Sequence, residues 1–316
     1  MDNETLLALF DTEQRINIEF PGVRKEQRPH VIRFVSEPKG PHFILYSQLD
    51  GADVEAVIAE EKAYFGPLGE VEWKVYGHDH PADLREQLVA GGFEAEEPDA
   101  IMVLDLEEAS RKEAGSRRKA ASRKEAASRS EAPSRKEAAS RSEAASRSEA
   151  AIPGTDAYAL PEMPQSGTDQ GFTRWAGDVK VQRLESTSQL EDVRRIEETV
   201  WEEDFEWVTE RFATDLEVPG YLSVYAAYVD EQPACAGWVY FHPNSHFAGL
   251  WGGSTVPEHR GRGLYTAVLE ARVQEAAARG YWFLTIDASP MSRPIVAQYG
   301  FRLLTMAWAC KWGKDL

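Results

Sequence analysis

A six-residue repeat in the middle of the chain constrains the fold more than any other feature of the sequence. The pattern Ser-Arg-(Lys/Ser)-Glu-Ala-Ala, with variations, occurs seven times, beginning at residues 110, 116, 122, 128, 134, 140 and 146. On a helix that advances about 100° per residue, a period of six displaces each copy by about 120°, so the alanines form no apolar face. The repeat therefore predicts a segment that cannot bury a core of its own.

Composition indicates what this segment does instead. Ala, Glu, Arg and Lys favour a helix, whereas Gly115, Pro133 and the serines oppose it, which is typical of a frayed, semi-rigid spacer. Its twelve basic and six acidic residues sum to +6, so a basic docking tail is the alternative interpretation. A Pro/Gly/Ser/Thr-rich stretch follows up to about residue 170. A linker over residues 109–170 thus predicts two domains, 1–108 and 171–316.

The overall charge restricts the classes of partner. Acidic residues outnumber basic ones 53 to 35, giving a formal net charge of -18, which disfavours a nucleic-acid partner. The acidity either confers solubility or attracts a cationic acceptor. No apolar run approaches the roughly 20 residues of a membrane helix, and the acidic N-terminus does not resemble a secretory signal. We therefore expect no membrane partner and a cytoplasmic protein.

The second domain has a readable order of elements. Ser188-Gln189-Leu190-Glu191 forms a capping-box pattern at the start of an amphipathic helix. The pattern over residues 171–316 predicts the order ααβββαβαβ. After the first helix, the predicted elements are a helix at Trp207–Leu216, strands at Leu222–Val229, Ala234–Phe241 and His246–Val256, a helix at Leu264–Arg279, a strand at Trp282–Asp287, a short helix at Ser292–Tyr299 and a strand at Phe301–Trp312.

A glycine-rich loop stands between the third strand and the long helix. It reads Val256-Pro257-Glu258-His259-Arg260-Gly261-Arg262-Gly263-Leu264-Tyr265. The two glycines allow a tight turn and a close backbone approach, and the unpaired N–H groups at a helix N-terminus suit a pyrophosphate. By itself, Arg-Gly-Arg-Gly also fits a flexible or nucleic-acid-binding loop, or a structural turn.

In its context, the loop resembles the acetyl-CoA signature of the GNAT superfamily of acyl-CoA-dependent N-acyltransferases, Arg-x-x-Gly-x-(Gly/Ala). Arg260 and Gly263 match the signature, and Tyr265 stands in place of its final small residue. The element order and the Gly300-Phe301 turn extend the resemblance over about 171–316. The resemblance implies an α/β fold, an α+β GNAT-like mixed sheet flanked by helices. It also implies an enzyme that transfers an acetyl group from acetyl-CoA to a primary amine of a small molecule or peptide by direct attack.

The same resemblance assigns cofactor-binding residues. Backbone N–H groups in the loop would hold the pyrophosphate, and the third strand would pair with the pantetheine arm beside a bulge at Gly252-Gly253. Two serines after the next strand would lie near the pantetheine, although Ser292 also fits a helix N-cap. No metal is expected. The implied residues are Arg260, Gly261, Arg262, Gly263, Leu264 and Tyr265 in the loop, Ser254, Thr255 and Val256 in the strand, and Ser289 and Ser292 after the next strand.

The catalytic acid and base are less evident from the sequence. Val296 occupies the position where many GNAT enzymes have a tyrosine acid, and Tyr299, on a neighbouring helix face, is expected to pack. The acidic segment 201–207 lies where the family lines its acceptor site. We expect Glu203 and Asp204 to recruit a cationic amine and accept its proton, the alternative being an acidic helix end with core tryptophans.

The first domain resembles a degenerate copy of the second. Its segment from Val71 through Gly92-Phe93 to Leu106 repeats the order strand, loop, short helix, Gly-Phe, strand. No glycine-rich loop precedes its helix at Asp53, so we expect that residues 1–108 do not bind the cofactor, whereas residues 171–316 bind it when isolated. Two other functions stay open: a non-catalytic acyl-CoA-binding or assembly module, and a tandem acetyltransferase resembling mycothiol synthase.

Overall fold

The structure is a computed structural model that describes residues 1–36, 40–112 and 179–313. The described residues up to 106 and from 179 onward belong to one compact unit. The hexad repeat beyond residue 112 and the stretch up to residue 178 lie outside the described residues. The semi-rigid spacer and the basic docking tail therefore both stay predictions.

The amino-terminal half begins with two consecutive helical segments and continues as an α/β unit. Asp2 caps the first helix by accepting a hydrogen bond from the Thr5 amide at 2.8 Å. The elements are α1 (Asn3–Phe10), a π-helical segment (Asp11–Ile16), β1 (Val23–Gln27), β2 (Val31–Ser36), β3 (His42–Ser47), α2 (Val54–Phe65), β4 (Val71–Tyr76), α3 (Leu84–Ala90), β5 (Glu94–Ala95) and β6 (Asp99–Asp105).

The carboxy-terminal half follows the predicted order, with one additional strand at its start. Its elements are β7 (Val179–Leu184), α4 (Leu190–Trp201), α5 (Glu206–Leu216), β8 (Leu222–Val229), β9 (Gln232–Phe241), β10 (Phe247–Thr255), α6 (Leu264–Ala278), β11 (Phe283–Ala288), α7 (Arg293–Gln298) and β12 (Arg302–Trp312). The predicted capping box is displaced by two residues. Ser186 and Gln189 form it, and a 3₁₀ turn at Thr187–Gln189 precedes α4, so Ser188 is not the cap.

All twelve strands of the described residues form one mixed sheet. Its order is β1-β2-β3-β4-β12-β6-β11-β10-β9-β8-β7, with the short β5 pairing with β12. Two pairs are parallel, β3 with β4 and β10 with β11, and the other pairs are antiparallel. Each parallel pair is connected through a helix, α2 or α6, as parallel neighbours require.

The last strand of each half lies in the sheet of the other half. β6 pairs with β11 from Asp105↔Phe283 to Ala100↔Ala288, and β12 pairs with β4 from Ala307↔Tyr76 to Trp312↔Val71. The two exchanged strands also pair with each other. Separating the halves would therefore expose the edges of β4 and β11, which makes the two copies one folding unit rather than two packed bodies.

Matching hydrogen bonds support the tandem relation of the halves. The Phe93 amide donates to Leu88 O at 3.0 Å, and the Phe301 amide donates to Val296 O at 3.3 Å. The preceding glycines, Gly92 and Gly300, have φ values of 90° and 94°, in the left-handed region that closes a helix at little cost for glycine. The predicted Gly-Phe parallel is thus confirmed in geometry.

The carboxy-terminal sheet has a different helix layer on each face. Trp238 packs its ring against Phe212 of α5 at a centroid distance of 4.8 Å, so α5 covers the face to which Trp238 points. A Cβ on Gly237 would lie 2.9 Å from the guanidinium of Arg272 in α6. Because successive side chains alternate across a strand, α6 covers the opposite face. These two surfaces are called the α5 face and the α6 face below.

Buried ion pairs hold the loop that follows β4, residues 77–80, which contains His78 and His80. Arg15 is fully buried and donates to both carboxylate oxygens of Asp79 at 2.7 and 2.8 Å. His78 Nε2 lies 3.0 Å from the Asp11 carboxylate, which also accepts from Arg15 at 2.8 Å. These partners fasten the first helical layer to the end of β4, a structural role for the loop.

Candidate functional site

The carboxyl end of β10 carries the predicted bulge. Gly252 pairs with Gly237 and Ser254 with Ala236, so Gly253 is the extra residue, and Gly252 and Gly253 have φ values of 67° and 109°. This confirms the Gly252-Gly253 bulge. The parallel pairing with β11 ends at Leu250↔Ile286, although β10 continues to Thr255. The two strands therefore part at the bulge, which leaves backbone groups at this point without a ladder partner from β11.

The glycine-rich loop ends at the uncapped N-terminus of a long helix. Gly263, with φ 80°, is the N-cap of the 15-residue α6, which has no side-chain cap and no acidic residue in its first turn. A Cβ on Gly261 or Gly263 would meet nothing within 4 Å, so the outer side of the loop is open. Free N–H groups and the positive end of the helix dipole form a site that suits an anion such as a pyrophosphate.

The two loop arginines are exposed and anchored within the loop. Arg260 Nε donates to the Thr255 carbonyl oxygen at 3.1 Å, and Arg262 Nη1 lies 2.8 Å from His259 Nδ1. Arg260 thereby fastens the loop to the end of β10. Both guanidinium groups add positive charge at the mouth of the helix N-terminus.

Tyr265, which replaces the small residue of the signature, turns towards the sheet. A Cβ on Gly253 would lie 2.5 Å from Tyr265 Cε2, so the absence of a side chain at the bulge makes room for the ring. The hydroxyl is buried and has no hydrogen-bond partner among the described residues. The ring packs against the core instead of projecting over the helix N-terminus, and a large residue here is compatible with the anion site.

A buried arginine on α6 donates hydrogen bonds to backbone carbonyl groups beside the bulge. Arg272 is fully buried and donates to Trp238 O at 3.2 Å and to Trp251 O at 3.0 Å. Among the described residues it has no ion pair, and burial lowers its pKa. Its charge thus lies beneath the bulge, where two carbonyl groups hold it. In the sequence, the only sign of this residue's role was a charge among the small and apolar residues along one side of α6.

Glu197 is the residue of greatest chemical interest that the sequence did not single out. It lies on α4, is 2% exposed, and its Oε2 accepts hydrogen bonds from Ser254 Oγ at 2.7 Å and Trp201 Nε1 at 3.0 Å. Its Oε1 has no partner among the described residues. Burial raises the pKa of this carboxyl, and the two hydrogen bonds partly oppose the shift. A buried carboxylate with a free oxygen beside the parted strands has the properties of a proton acceptor.

The position of Glu197 also gives the Ser254 hydroxyl a partner, while the predicted place of Ser254 along the pantetheine stays a prediction. Ser254 pairs with Ala236, two residues from Trp238, so its side chain lies on the α5 face, opposite α6. Its hydroxyl is engaged by Glu197. A signal for Glu197 existed in the sequence, since it follows Val193 by four residues on the apolar side of α4, where an unpaired acid is unusual.

The acids predicted to be catalytic lie at the surface. Glu203 and Asp204 are both exposed, and Asp204 Oδ1 accepts a hydrogen bond from the Glu206 amide at 2.8 Å, which starts α5. The tryptophans that flank them, Trp201 and Trp207, are 57% and 54% exposed and so are not core residues. Recruitment of a cationic amine by these two acids stays a prediction, and so does the acceptance of its proton by one of them.

The residues after β11 contact one another. Ser289 and Ser292 have their hydroxyl oxygens 3.2 Å apart, and Ser292 takes the N-cap position of α7 without a side-chain bond to that helix. Val296 is fully buried. The hydroxyls of Tyr299 and Thr266 are hydrogen-bonded, which fastens α7 to the first turn of α6.

The corresponding helix of the amino-terminal half offers no anion site. Asp53 caps α2 by accepting from the Ala56 amide at 3.1 Å, and Glu55 adds a second negative charge in the first turn. Both carboxylates repel a phosphate from this N-terminus.

Comparison with known proteins agrees with this arrangement. Residues 187–301, from α4 through the bulge and the loop to the Gly-Phe turn, match the Acetyltransferase (GNAT) family. This segment is a GNAT domain. A search of curated protein sequences finds no significant match.

Solved structures share the fold over almost the whole chain. A GCN5-related N-acetyltransferase from Kribbella flavida superposes with a TM-score of 0.57 at 11% identity, covering 99% of this chain and 96% of that one. A functionally unknown conserved protein from Staphylococcus epidermidis gives 0.55 at 9% identity, covering 94% and 96%. A tandem GNAT protein from the clavulanic acid biosynthesis pathway gives 0.50 at 11%, covering 96% and 87%. The GNAT domain thus stands in a tandem GNAT fold that includes the amino-terminal half.

Within the described ranges, no helix combines the length and the apolar character needed to cross a membrane.

Proposed function

We propose that the protein is an N-acetyltransferase that moves an acetyl group from acetyl-CoA to a primary amine, with residues 171–316 as the catalytic part. Residues 1–108 are the degenerate part that completes the sheet, and 109–170 are the linker. The observation that carries the proposal is the uncapped α6 N-terminus beside the Gly252-Gly253 bulge, with the free oxygen of Glu197 on the α5 face. The anion site, the parted strands and the proton acceptor all lie near the carboxyl end of β10.

Each part of the site has a defined task in this proposal. Acetyl-CoA supplies an activated acetyl group as a thioester. The N–H groups at the start of α6 bind its pyrophosphate, with Arg260 and Arg262 adding charge, and the free edge of β10 from Ser254 to Val256 lies along the pantetheine. N–H groups freed by the bulge polarise the acetyl carbonyl, and the buried charge of Arg272 below them favours the developing oxyanion.

Glu197 is the base in this mechanism. The acceptor nitrogen forms the new C–N bond as the C–S bond breaks, the CoA thiolate leaves, and the nitrogen loses a proton to Glu197 directly or through a water. Burial raises the pKa of Glu197 towards neutral pH, and a general base is most effective when its pKa lies near the pH at which it works. Glu203 and Asp204 attract the cationic acceptor from solution. A thiolate is a fairly good leaving group, so solvent can protonate it.

The test of the function is amine-dependent release of CoA thiol. Purified full-length protein is mixed with acetyl-CoA and a panel of amines, and free thiol and the acetylated product are measured together. The proposal expects both to appear in equal amounts with at least one amine. Binding of acetyl-CoA without release for every amine would instead support a non-catalytic acyl-CoA-binding module.

The cofactor loop has its own test with a matched control. Gly263→Val places a branched side chain where α6 begins and should weaken CoA binding at least about tenfold, because the close backbone approach is obstructed. Gly22→Val is the control, since Gly22 has a similar φ of 71°, equally open surroundings and a place far away in the amino-terminal half. If calorimetry gives both variants the wild-type affinity, this loop does not bind the pyrophosphate.

A further inference from the structure

A cavity of about 260 Å³ opens where β10 and β11 part. Leu250, Trp251, Gly252, Ile286 and Asp287 line the end formed by these two strands. Trp251 and Asp287 lie one residue beyond Leu250 and Ile286, the last residues that the two strands pair. The cavity therefore reaches the gap that opens beyond this pair, where the proposed function places the thioester.

The cavity extends from this gap across the α5 face into the amino-terminal half. Trp251 pairs with Trp238, and Asp287 pairs with Ile101, two residues from Asp99. Asp99 pairs with Ala307, and Ala309 pairs with Lys74. Cross-strand partners share a face, so this row of side chains runs over one surface from β10 to β4. Four strand spacings of about 4.8 Å give it a length of about 19 Å.

The lining of the cavity is acidic at one end and apolar on its floor. Five carboxylates and one ammonium line the cavity, so the net charge of the lining is -4 when all are ionised. The carboxylates are those of Glu72, Glu96, Glu97, Asp99 and Asp287, and the ammonium is that of Lys74. Lys74 is ion-paired with Asp287, and Lys311 with Glu96. Among the described residues, Glu72, Glu97 and Asp99 make no ion pair. The small Ala307 and Ala309 leave space above the middle strand.

A second observation marks the strand end of this cavity as a place for a polar ligand. Ser254 follows Gly252 by two residues and bonds to Glu197, which is buried and retains an oxygen without a partner among the described residues. Trp251 is 48% exposed at the same end, although a ring of this size is normally covered. An ammonium or amine group at this end would contact the face of the Trp251 ring. Glu197 is not itself part of the lining, and Ser254 connects it to this strand end.

We propose that the cavity is the acceptor site and that the acceptor is a linear aliphatic diamine or polyamine, recognised by both halves of the chain. This inference rests on the proposed acetyl transfer. One amino group reaches the gap beside Glu197, methylene groups cross Ala307 and Ala309, and a second ammonium is held by Glu72, Asp99 and Glu97. The degenerate half thus contributes acceptor specificity in place of cofactor binding.

The chemistry balances for such an acceptor. The reacting ammonium first gives one proton to solvent and becomes a neutral amine. As its C–N bond forms and the C–S bond breaks, the nitrogen gives a second proton to Glu197 or a water, this end becomes an amide, and the released CoA thiolate takes a proton from solvent. The distant ammonium keeps its proton and its charge throughout. The distant ammonium is therefore bound equally well in the ground state and in the transition state, and this contact should lower KM without changing kcat.

The experiment compares a diamine with a monoamine of equal chain length, using the full-length protein. Diaminobutane and butylamine, and then diaminooctane and octylamine, are assayed for acetylation by wild type and by Glu72→Gln/Asp99→Asn. In wild type we expect kcat/KM for the diamines to exceed that for the monoamines at least about tenfold. The double variant should lose this preference through KM, with monoamine turnover and CoA affinity unchanged.

A second variant protects the test against misfolding. Glu97 is exposed, so Glu97→Lys keeps the fold and reverses one charge at the rim; it should raise KM for the diamines at least about threefold. Glu231→Lys, at the distant turn between β8 and β9, is the matched control and should change nothing. Acetylation of monoamines and diamines with equal efficiency, by wild type and variants alike, would overturn the acceptor proposal and leave the acetyltransferase intact. Failure with every amine would overturn the proposed function itself.

Discussion

Replacement of Glu197 by glutamine separates catalysis from stability. A glutamine side chain has the same shape, and its oxygen can accept the hydrogen bonds from Ser254 Oγ and Trp201 Nε1. The change therefore removes the negative charge and the basic oxygen and leaves the packing intact. A general base contributes about 10²- to 10⁴-fold to a rate, or about 2.7–5.5 kcal/mol of the activation barrier, and we expect kcat to fall by this range.

The same substitution, which should lower activity, should leave the stability of the fold unchanged or raise it. Burial raises the pKa of Glu197 in the folded protein above its value in the unfolded chain. Any stability from this group is present below the unfolded pKa and is lost as pH rises through the folded pKa. At pH 7 the ionised carboxylate therefore opposes folding, and Glu197→Gln should unfold at the same or a higher denaturant concentration.

The assay is the pH profile of kcat/KM, recorded together with denaturant unfolding. Wild type should lose activity on the acidic side as Glu197 is protonated, and Glu197→Gln should lack this limb. Ser254→Ala is the control; it removes one hydrogen bond worth about 1 kcal/mol and, because that bond lowers the pKa of Glu197, shifts the limb to higher pH. A Glu197→Gln enzyme with turnover within about threefold of wild type and an unchanged acidic limb would refute the assignment of the base.

Three further outcomes follow from the structure. Gly253→Ala should lower the free energy of unfolding by about 2 kcal/mol or more, because its Cβ would lie 2.5 Å from the Tyr265 ring and residue 253 has a φ of 109°. Adding Tyr265→Ala to this variant should restore part of the loss, which a double-mutant cycle measures. Glu203→Gln/Asp204→Asn should reduce turnover of a cationic amine at least about tenfold without weakening CoA binding, and wild-type turnover would remove these acids from the mechanism. The exchange of β6 and β12 replaces the expectation that residues 171–316 bind CoA in isolation: each half expressed alone should fail to fold, and co-expression should restore CoA binding. An independently folded carboxy-terminal half that binds CoA would contradict this.

The parts of the site that depend on neighbouring residues were predictable from the sequence. The start of α6 at Leu264, the bulge at Gly252-Gly253 and the two Gly-Phe turns are set by glycines that alone tolerate positive φ at low cost. Apolar spacing located α4, although its capping box lies two residues earlier than the pattern indicated. Such features need only a few consecutive residues, so the local sequence specifies them.

The acceptor side of the site was decided by the tertiary structure. Glu197 became a candidate base because α4 packs it against Ser254, 57 residues away, and excludes water from it. The acidic cavity combines Glu72 and Asp99 of one half with Trp251 and Asp287 of the other, because β12 and β6 exchange places in the sheet. Strand partners chosen across more than 170 residues of chain leave no periodic or spacing signal in the sequence, since pairing depends on which edges meet when the two copies fold together.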